Sequence, residues 1–497
     1  MKIQRDVAFG IDFGTTNSVV VAATRAGTIR PLFETESGRP HPSVVWYGPE
    51  RIKVGLEAKK NMHGYGQQLG HRFIRSVKKE LGRDRTVEIQ GERLPMWRVA
   101  AEIFRHLRLH AQETRGDAID EAVITIPVLF DGRMRRDIRR AAGAAGINVT
   151  TFVHEPFAAV VGYSRARGLD LEHLPTETIL VFDWGGGTLD ITLTRSESGR
   201  IEELATGGLL SVAGDRFDDH LYHWGIARMM DRLSARPGSI DPRGRARDRL
   251  IGESERVKIR LSEMTDELMN VASLTELDST HVDMEEPVAR VDFEQLIEDD
   301  VREAMDEVFR VLREARVETT DVDRVLLIGG TSEIPRLQAA MQREFGVRAE
   351  SLGERSQTII AEGAATVAQY GFQPFLTRPV QIALADGSHL PVFDRETPVP
   401  VSGTTELTLF CTDPRDGTAR LVITEQVRSD EPGSTRQQTV LPVPVSKGLP
   451  KPYNHERVHA GFEIDADLVL NVRAWGASKG QVVNAEVHDL TFGLRLQ

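Results

Sequence analysis

A two-lobed α/β fold followed by an all-β domain of sandwich type is predicted by three observations. The first 370 or so residues interleave short apolar strands with amphipathic helical stretches. A strand–turn–strand unit at the N-terminus returns, in the same grammar, near residue 180. Beyond Pro374 helical periodicity stops, and alternating strands bounded by proline and turn residues take over.

In chain order, VAFGIDF, GTTN and SVVVAAT read as two strands joined by a tight turn. Helical patterns are expected over Ala58–Leu69, Phe73–Leu81 and Pro95–Thr114. AVITIPV (122–128) reads as a strand, and an Arg-rich helix is expected near Asp131–Ala145. TILVFDWGGGTLDITLT (178–194) repeats the opening unit. Charged helices are expected to dominate from Asp215 to Arg316. VLLIGG (325–330) is a strand running into a turn, and Pro335 sits just inside the next helix, where proline is tolerated. Pro391, Pro398, Pro400, Pro442, Pro444, Pro450 and Pro452, with the turns ADG, PRDG and DEPG, mark the β region. The expected division is 1–372 for the two-lobed domain, 373–379 for a linker within the hinge Tyr370–Pro379, and 380–497 for the β-sandwich.

Composition narrows the function classes. With 497 residues, 40% hydrophobic and 27% charged, the chain has length for about three folding units and can bury real cores without disulfides or a structural metal. Net charge is −12 and the pI is near 5.7, which argues against a general binder of nucleic acid or anionic membrane. One cysteine, Cys411, points to a reducing compartment, read as the cytoplasm. The N-terminus reaches an Asp too early for a signal peptide, and no run of about 18 apolar residues predicts a membrane span.

The chemistry concentrates in the internal echo. Ile11-Asp12-Phe13-Gly14-Thr15-Thr16 matches Phe182-Asp183-Trp184-Gly185-Gly186-Gly187-Thr188. In both, a buried strand ends in Asp, then one large residue, then a turn of small residues. Glycine lets backbone approach an anion closely, and successive N–H groups with threonine hydroxyls can wrap a phosphate. An Asp at the strand end can hold hydrated magnesium. Two such hairpins face to face would clamp a polyphosphate. No GxxxxGK[ST], GxGxxG, HRD or DFG pattern is present. HERVH (455–459) spells a zincin motif, but the flanking prolines and FEID predict a strand, where residues four apart lie about 13 Å from each other. GASKG (476–480) lies between two strands, so it is a hairpin turn and not a nucleophile elbow. Arg133, Arg135, Arg136, Arg139 and Arg140 read as a solvated helix face.

The paired hairpins resemble the phosphate loops of the actin-like ATPase superfamily. GIDFGTTNS (10–18), HEPFAAVVGY (154–163), VFDWGGGTLDI (181–191), ERVKIRLS (255–262) and VLLIGG (325–330) resemble, in order and spacing, the heat-shock protein 70 (DnaK) chaperones. FEIDADLVLNVRAWGASKG (462–480) is similar to that family's β-sandwich substrate domain. The resemblance implies slow ATP hydrolysis with magnesium held through water by Asp12, Glu155 and Asp183. It implies that Lys78, in SVKKELGR, positions the attacking water, and that Asp190 assists water and a monovalent cation such as potassium. Gly14, Thr15, Thr16, Asn17, Gly185, Gly186, Gly187, Thr188 and Gly214 would contact phosphates. Glu255, Lys258 and Ser262 would line the adenosine side, with Gly329 and Gly330 giving close backbone approach. Pro127 and Arg135 match the pair that relays nucleotide state to the substrate domain. The implied partners are unfolded or extended polypeptide segments, a nucleotide-exchange factor and a J-domain protein.

Departures from the family pattern sharpen the alternatives. Glu333 stands where an adenine-stacking arginine is usual, with Arg260 and Arg336 as substitutes; Gln357 replaces a common acid; and Thr151 replaces an arginine used by J-domain partners. QPFLTRPVQ lacks the leucine run ending in Asp that docks on the ATPase domain, so nucleotide-dependent docking of the β domain is expected to be weaker than in a standard member, and the chain reads as a lidless member. The alternative function is a nucleotide-sensing scaffold whose β domain holds one dedicated partner. A sugar-kinase-type phosphotransferase is the third reading, disfavoured by the β domain and by Lys78 and Glu155.

Overall fold

The computed structural model describes residues 6–65, 71–116, 118–236, 240–277, 280–426, 435–448 and 456–496. The end of the expected helix at 66–69, the DEPG turn, Pro450, Pro452 and His455 lie outside the described residues. The first hairpin pairs β1 (Val7–Phe13) antiparallel with β2 (Asn17–Thr24), with Asp12 opposite Val19. Strands β3 (Ile29–Leu32) and β4 (His41–Pro42) pair with β2. A small sheet of β5 (Val45–Tyr47), β6 (Ile52–Val54) and β7 (Arg72–Ile74) packs on α1 (Leu56–Tyr65).

No α-helix forms over Phe73–Leu81. The chain makes β7 and then one 3₁₀ turn, Val77–Glu80. Ile74, Val77 and Leu81 have helical spacing, but Ser76 between them takes φ 54°, a left-handed conformation that stops a right-handed helix. The hairpin β8 (Thr86–Ile89) and β9 (Glu92–Pro95) leads into α2 (Met96–Arg115) and β10 (Glu121–Ile126). Helix α3 (Gly132–Ala144) is capped by Asp131, whose carboxylate accepts from the Met134 N–H at 3.0 Å. β11 (Asn148–His154) and α4 (Glu155–Ala166) complete the lobe, whose sheet runs β11-β10-β1-β2-β3.

The second lobe repeats this order with β12 (Glu177–Trp184), β13 (Leu189–Glu197) and β14 (Arg200–Leu209), followed by α5 (Gly214–Arg232) and α6 (Arg245–Glu263). The charged stretch then breaks into an antiparallel hairpin, β15 (Asp266–Leu277) and β16 (Thr280–Ala289), within the stretch that helices were expected to dominate. Met284, Glu286 and Val288 point inward with period two, and the buried Glu286 is held by Arg232 at 2.7 Å. Helices α7 (Arg290–Leu296) and α8 (Glu298–Ala315), β17 (Arg324–Ile328), α9 (Pro335–Phe345), β18 (Ala349–Ser351) and α10 (Ile359–Tyr370) follow. The sheet order β18-β17-β12-β13-β14 is that of the first lobe, with the parallel and antiparallel pairs in the same places. The echo of the two hairpins therefore extends to five strands.

After α10 the chain forms β19 (Phe372–Leu376), β20 (Val380–Ala383), β21 (His389–Phe393), β22 (Thr405–Cys411), β23 (Thr418–Gln426), β24 (Thr435–Pro444), β25 (Glu456–Ile464), β26 (Leu470–Gly476), β27 (Val482–Val487) and β28 (Phe492–Leu496). The sheets β21-β20-β23-β24 and β22-β25-β26-β27 enclose a shared core of Ile382, Ile423, Val443, Phe462 and Val472. Glu456 and His459 lie on β25, and Gly476–Gly480 turns between β26 and β27, so neither the zincin nor the elbow geometry forms there.

β19 occupies most of the stretch read as a linker, and β28 turns back out of the sandwich. The two pair antiparallel and extend the second lobe's sheet as β14-β28-β19. The β domain is thereby joined to the second lobe through β28, a strand 120 residues downstream of β19.

Candidate active site

Each duplicated sheet delivers an aspartate at the end of its central strand, Asp12 from β1 and Asp183 from β12. Asp190 on β13 stands directly opposite Asp183. Glu155 opens α4 just after β11. Thr125 Oγ1 donates to Asp12 Oδ1 at 3.1 Å, and Thr188 Oγ1 donates to Asp190 Oδ2 at 2.9 Å. Lys78, in the 3₁₀ turn, sends Nζ to Glu155 Oε1 at 2.6 Å, and the two side chains are 7% and 9% exposed. The Phe130 ring lies 5.4 Å below the ammonium.

One lysine thus faces four carboxylates. Burial works against the Lys78 charge, but Glu155 and Asp12 outweigh it and hold its pKa above the ordinary range. Burial, with Glu155 adding, pushes Asp12 up to about 6 against Lys78 and Thr125. Burial and Glu155 push Asp190 up to about 6 against its Thr188 hydrogen bond. Asp183 is driven well above the usual carboxylate range by burial and then by Glu155, Asp190 and Asp12. A crowded set of oxygen donors short of positive charge fits a hydrated magnesium ion, which takes oxygen ligands and retains its waters.

The two glycine turns meet. A Cβ on Gly186 would lie 2.4 Å from Thr16 Oγ1, and one on Gly187 would lie 2.9 Å from Thr15 Cγ2. Only glycine lets the second turn come this close to the first. Lys79 Nζ donates to the Gly187 carbonyl at 2.8 Å. Ser43 braces the first turn, with Oγ on the Gly14 carbonyl at 2.9 Å and N–H on the Thr16 carbonyl at 2.8 Å. Asn17 opens β2 and is exposed. The Gly185 carbonyl accepts from the Gly214 N–H at 3.2 Å and from Thr331 Oγ1 at 2.9 Å. Gly329, with φ 81°, backs onto Asp183, and Gly330 begins the 3₁₀ turn Gly330–Glu333.

Glu255, Lys258 and Ser262 lie along α6. Lys258 bridges Asp218 Oδ1 at 2.7 Å and the Gly214 carbonyl at 2.9 Å. Glu255 pairs with Lys59 of α1 at 2.7 Å, joining the two lobes. Ser262 is partly buried near the helix end, where its carbonyl accepts from Arg290 at 3.4 Å. Glu333 is partly buried beside Ser351 and Gln338. Arg260 is held by Glu263 and Glu267, and Arg336 by Glu298, so each would leave an ion pair to stack on a base.

The arginine face of α3 is corrected by the structure. Arg135 is 2% exposed and donates to the carbonyls of Asp467 at 2.6 Å, Leu468 at 3.1 Å and His488 at 2.9 Å, all in the β domain, and to that of Phe130. Burial lowers its pKa to about 10 against nearby Asp131 and Asp467. Arg136 forks onto Glu486 at 3.0 and 2.9 Å, and Arg139 reaches Asp467 Oδ1 at 2.6 Å. Arg133 and Arg140 alone of the five stay largely exposed, at 65% and 61%. The Pro127 carbonyl accepts from the Phe130 N–H at 3.1 Å. Phe130 therefore touches Lys78 with its ring and Arg135 with its carbonyl. Sequence reading missed it, together with Thr125, Ser43 and Lys59, because nothing local marks them. Lys79 was passed over for its neighbour.

A family model described as Hsp70 protein matches residues 8–491. A chaperone protein HscA homolog of Shewanella woodyi is 29% identical over 99% of this chain and 79% of its own length. Chaperone proteins DnaK of Deinococcus radiodurans and Mycoplasmoides gallisepticum are each 28% identical over 97% of this chain, and over 79% and 80% of their own lengths. The duplicated lobes, the facing glycine hairpins and these matches agree: the chain belongs to the Hsp70 family, ATP-hydrolysing chaperones with a two-lobed actin-like ATPase domain and a β-sandwich substrate domain.

Proposed function

We propose that the chain couples ATP hydrolysis at the Lys78–Glu155 cluster to the grip of its β domain on an extended polypeptide. The observation that carries this reading is the chain of contacts from Lys78 through Phe130 to Arg135 and the carbonyls of Asp467, Leu468 and His488. Asp12, Glu155 and Asp183 would hold magnesium through its waters, and Asp190 would serve potassium. Magnesium, when bound, neutralises phosphate charge. Lys78 orients the attacking water and stabilises charge that develops on the terminal phosphoryl group, which is most of what phosphoryl transfer needs. Thr15, Thr16, Thr188 and the turn amides bind phosphates, and α6 flanks the adenosine.

The test is steady-state ATP turnover with magnesium. Lys78→Ala is expected to abolish turnover while nucleotide affinity is largely kept, since the lysine acts on the transition state. Wild-type turnover in that variant refutes the assignment. The scaffold reading is favoured by one observation, the anchoring of both ends of the β domain in the second lobe's sheet. Stimulation of turnover by diverse unfolded peptides supports the chaperone; stimulation by a single protein alone supports the scaffold.

A further inference from the structure

We propose that Glu34, His41 and His106 form a binding site for a zinc-class divalent transition metal that braces the first glycine hairpin. The three come from separate places: Glu34 just after β3, His41 in β4 and His106 in α2. One atom of each converges. His41 Nδ1 lies 3.1 Å from His106 Nε2, His106 Nε2 lies 3.2 Å from Glu34 Oε1, and His41 Nδ1 lies 3.3 Å from Glu34 Oε1. Bonds of about 2.0–2.1 Å to a tetrahedral ion put its ligands roughly 3.3 Å apart, so the triangle has the size of one tetrahedral face. Two imidazoles and one carboxylate suit zinc, copper, iron or nickel and not magnesium.

Proton counting favours a cation. His41 Nε2 is 2.9 Å from the Leu32 carbonyl, which can only accept, so a neutral His41 carries its proton on Nε2 and turns the Nδ1 lone pair inward. A metal-bound histidine is held in this way. Glu34 Oε1 also accepts from the Leu56 N–H at 3.1 Å. In that tautomer the edge between His41 and Glu34, 3.3 Å long, sets lone pair against lone pair. A metal ion satisfies all three atoms; an imidazolium at His41 is the competing solution.

Gly55 leaves room beside the cluster. Its φ is 76°, and a Cβ there would sit 2.3 Å from Glu34 Oε1 and 2.8 Å from His106 Nε2. The exposures of 1% for His41, 12% for Glu34 and 24% for His106 describe a buried base with an open rim, where water completes the coordination. His110 walls the far side, its ring 4.6 Å from that of His41 and its Nε2 on the Phe33 carbonyl at 2.8 Å. The consequence reaches the nucleotide because His41 pairs with Ser18 in β2 and lies two residues before Ser43, which holds the carbonyls of Gly14 and Thr16. That link, unlike the site itself, rests on the reading of the first hairpin as a phosphate loop.

The experiment titrates the full chain with cobalt(II), without nucleotide, and then with zinc(II) in competition with a chromophoric chelator. One ion per chain with an intense tetrahedral or five-coordinate cobalt spectrum is expected. Glu34→Gln and His106→Gln should each weaken binding at least tenfold, whereas Asp12→Asn and His459→Gln should leave it unchanged. Thermal melts without metal verify that the variants fold. No spectrum, or a spectrum that survives both Glu34→Gln and His106→Gln, overturns the site. ATP affinity is then measured with and without zinc. A several-fold change in wild type that is absent in Glu34→Gln supports the brace, and binding of zinc with no effect on ATP overturns the brace alone. Loss of ATP binding altogether is a failure of the nucleotide reading and leaves the metal titration to decide the site.

Discussion

Replacing Arg135 by alanine should undock the β domain without unfolding either part. The guanidinium supplies hydrogen bonds to three β-domain carbonyls, those of Asp467, Leu468 and His488, and is almost fully buried. A hydrogen bond to a charged group contributes about 1.5–3 kcal/mol, and bonds from one guanidinium do not add independently. Removing the guanidinium leaves three buried carbonyls unsatisfied at about 1–3 kcal/mol each, less than additively, for a total of about 3–5 kcal/mol. At about 1.4 kcal/mol per factor of ten, the docking constant should fall roughly a hundred- to several-thousand-fold. Lysine keeps the charge but lacks the planar fork, so Arg135→Lys should recover only part of the loss. Arg133→Ala is the control, since that side chain is exposed and, among the described residues, bonds to Asp131, the cap of its own helix. Hydrogen exchange over residues 465–470, with fluorescence transfer between the first lobe and β22, reports the equilibrium. Docking in Arg135→Ala equal to that in Arg133→Ala would refute the reasoning.

Lys59→Met removes the 2.7 Å ion pair to Glu255 that joins the lobes and should speed nucleotide release several-fold in stopped-flow with a fluorescent ADP analogue, with little change in catalytic turnover measured in single-round assays. Glu333→Arg should gain several-fold in ATP affinity by calorimetry and sharpen discrimination against GTP, since a guanidinium stacked on the base contributes roughly 0.5–2 kcal/mol; no gain would mean that the adenine is already covered. Burial, with Glu425 adding and Arg378 opposing, pushes Glu203 on β14 up to about 7. A carboxyl whose pKa is raised in the docked state penalises docking when ionised, above about pH 7, and releases that penalty as the pH falls toward the ordinary carboxylate range. Docking should therefore tighten from pH 8 to pH 6, and Glu203→Gln should flatten the profile in the same fluorescence assay.

The site was legible in the sequence where chemistry and local order coincide. Asp12 and Asp183 end buried strands, and the small residues after them can serve only a few purposes. Pro335 announced its helix by its fixed φ. What failed was decided at a distance or by a single dihedral. Residues 73–81 carry helical spacing, and one left-handed serine cancels it. Residues 266–289 look helical because they are charged, yet β15 and β16 bury every second side chain of part of their length against α5 and α6. Arg135, Arg136 and Arg139 read as a solvated face because their partners lie more than 300 residues away. The role of β19 depended on β28 in the same way.

The pairing of β19 with β28 changes how the β domain can be released. The two strands match over five residue pairs, Phe372 with Leu496 through Leu376 with Phe492. The joint between β28 and β14 covers only two pairs, and one of them sets Arg200 against Arg495. Like charges directly opposite weaken a strand pair. Arg200 turns instead to Glu396 at 2.7 Å, and Arg395 reaches Glu202 at 2.8 Å. The short joint is thus the weaker seam, and the five-pair ribbon the stronger one. A sandwich leaving the lobes would not trail on a single flexible tether. It would swing on a two-stranded stem, with less freedom to wander and a higher chance of re-seating, because loop closure has already been met at the base of the stem.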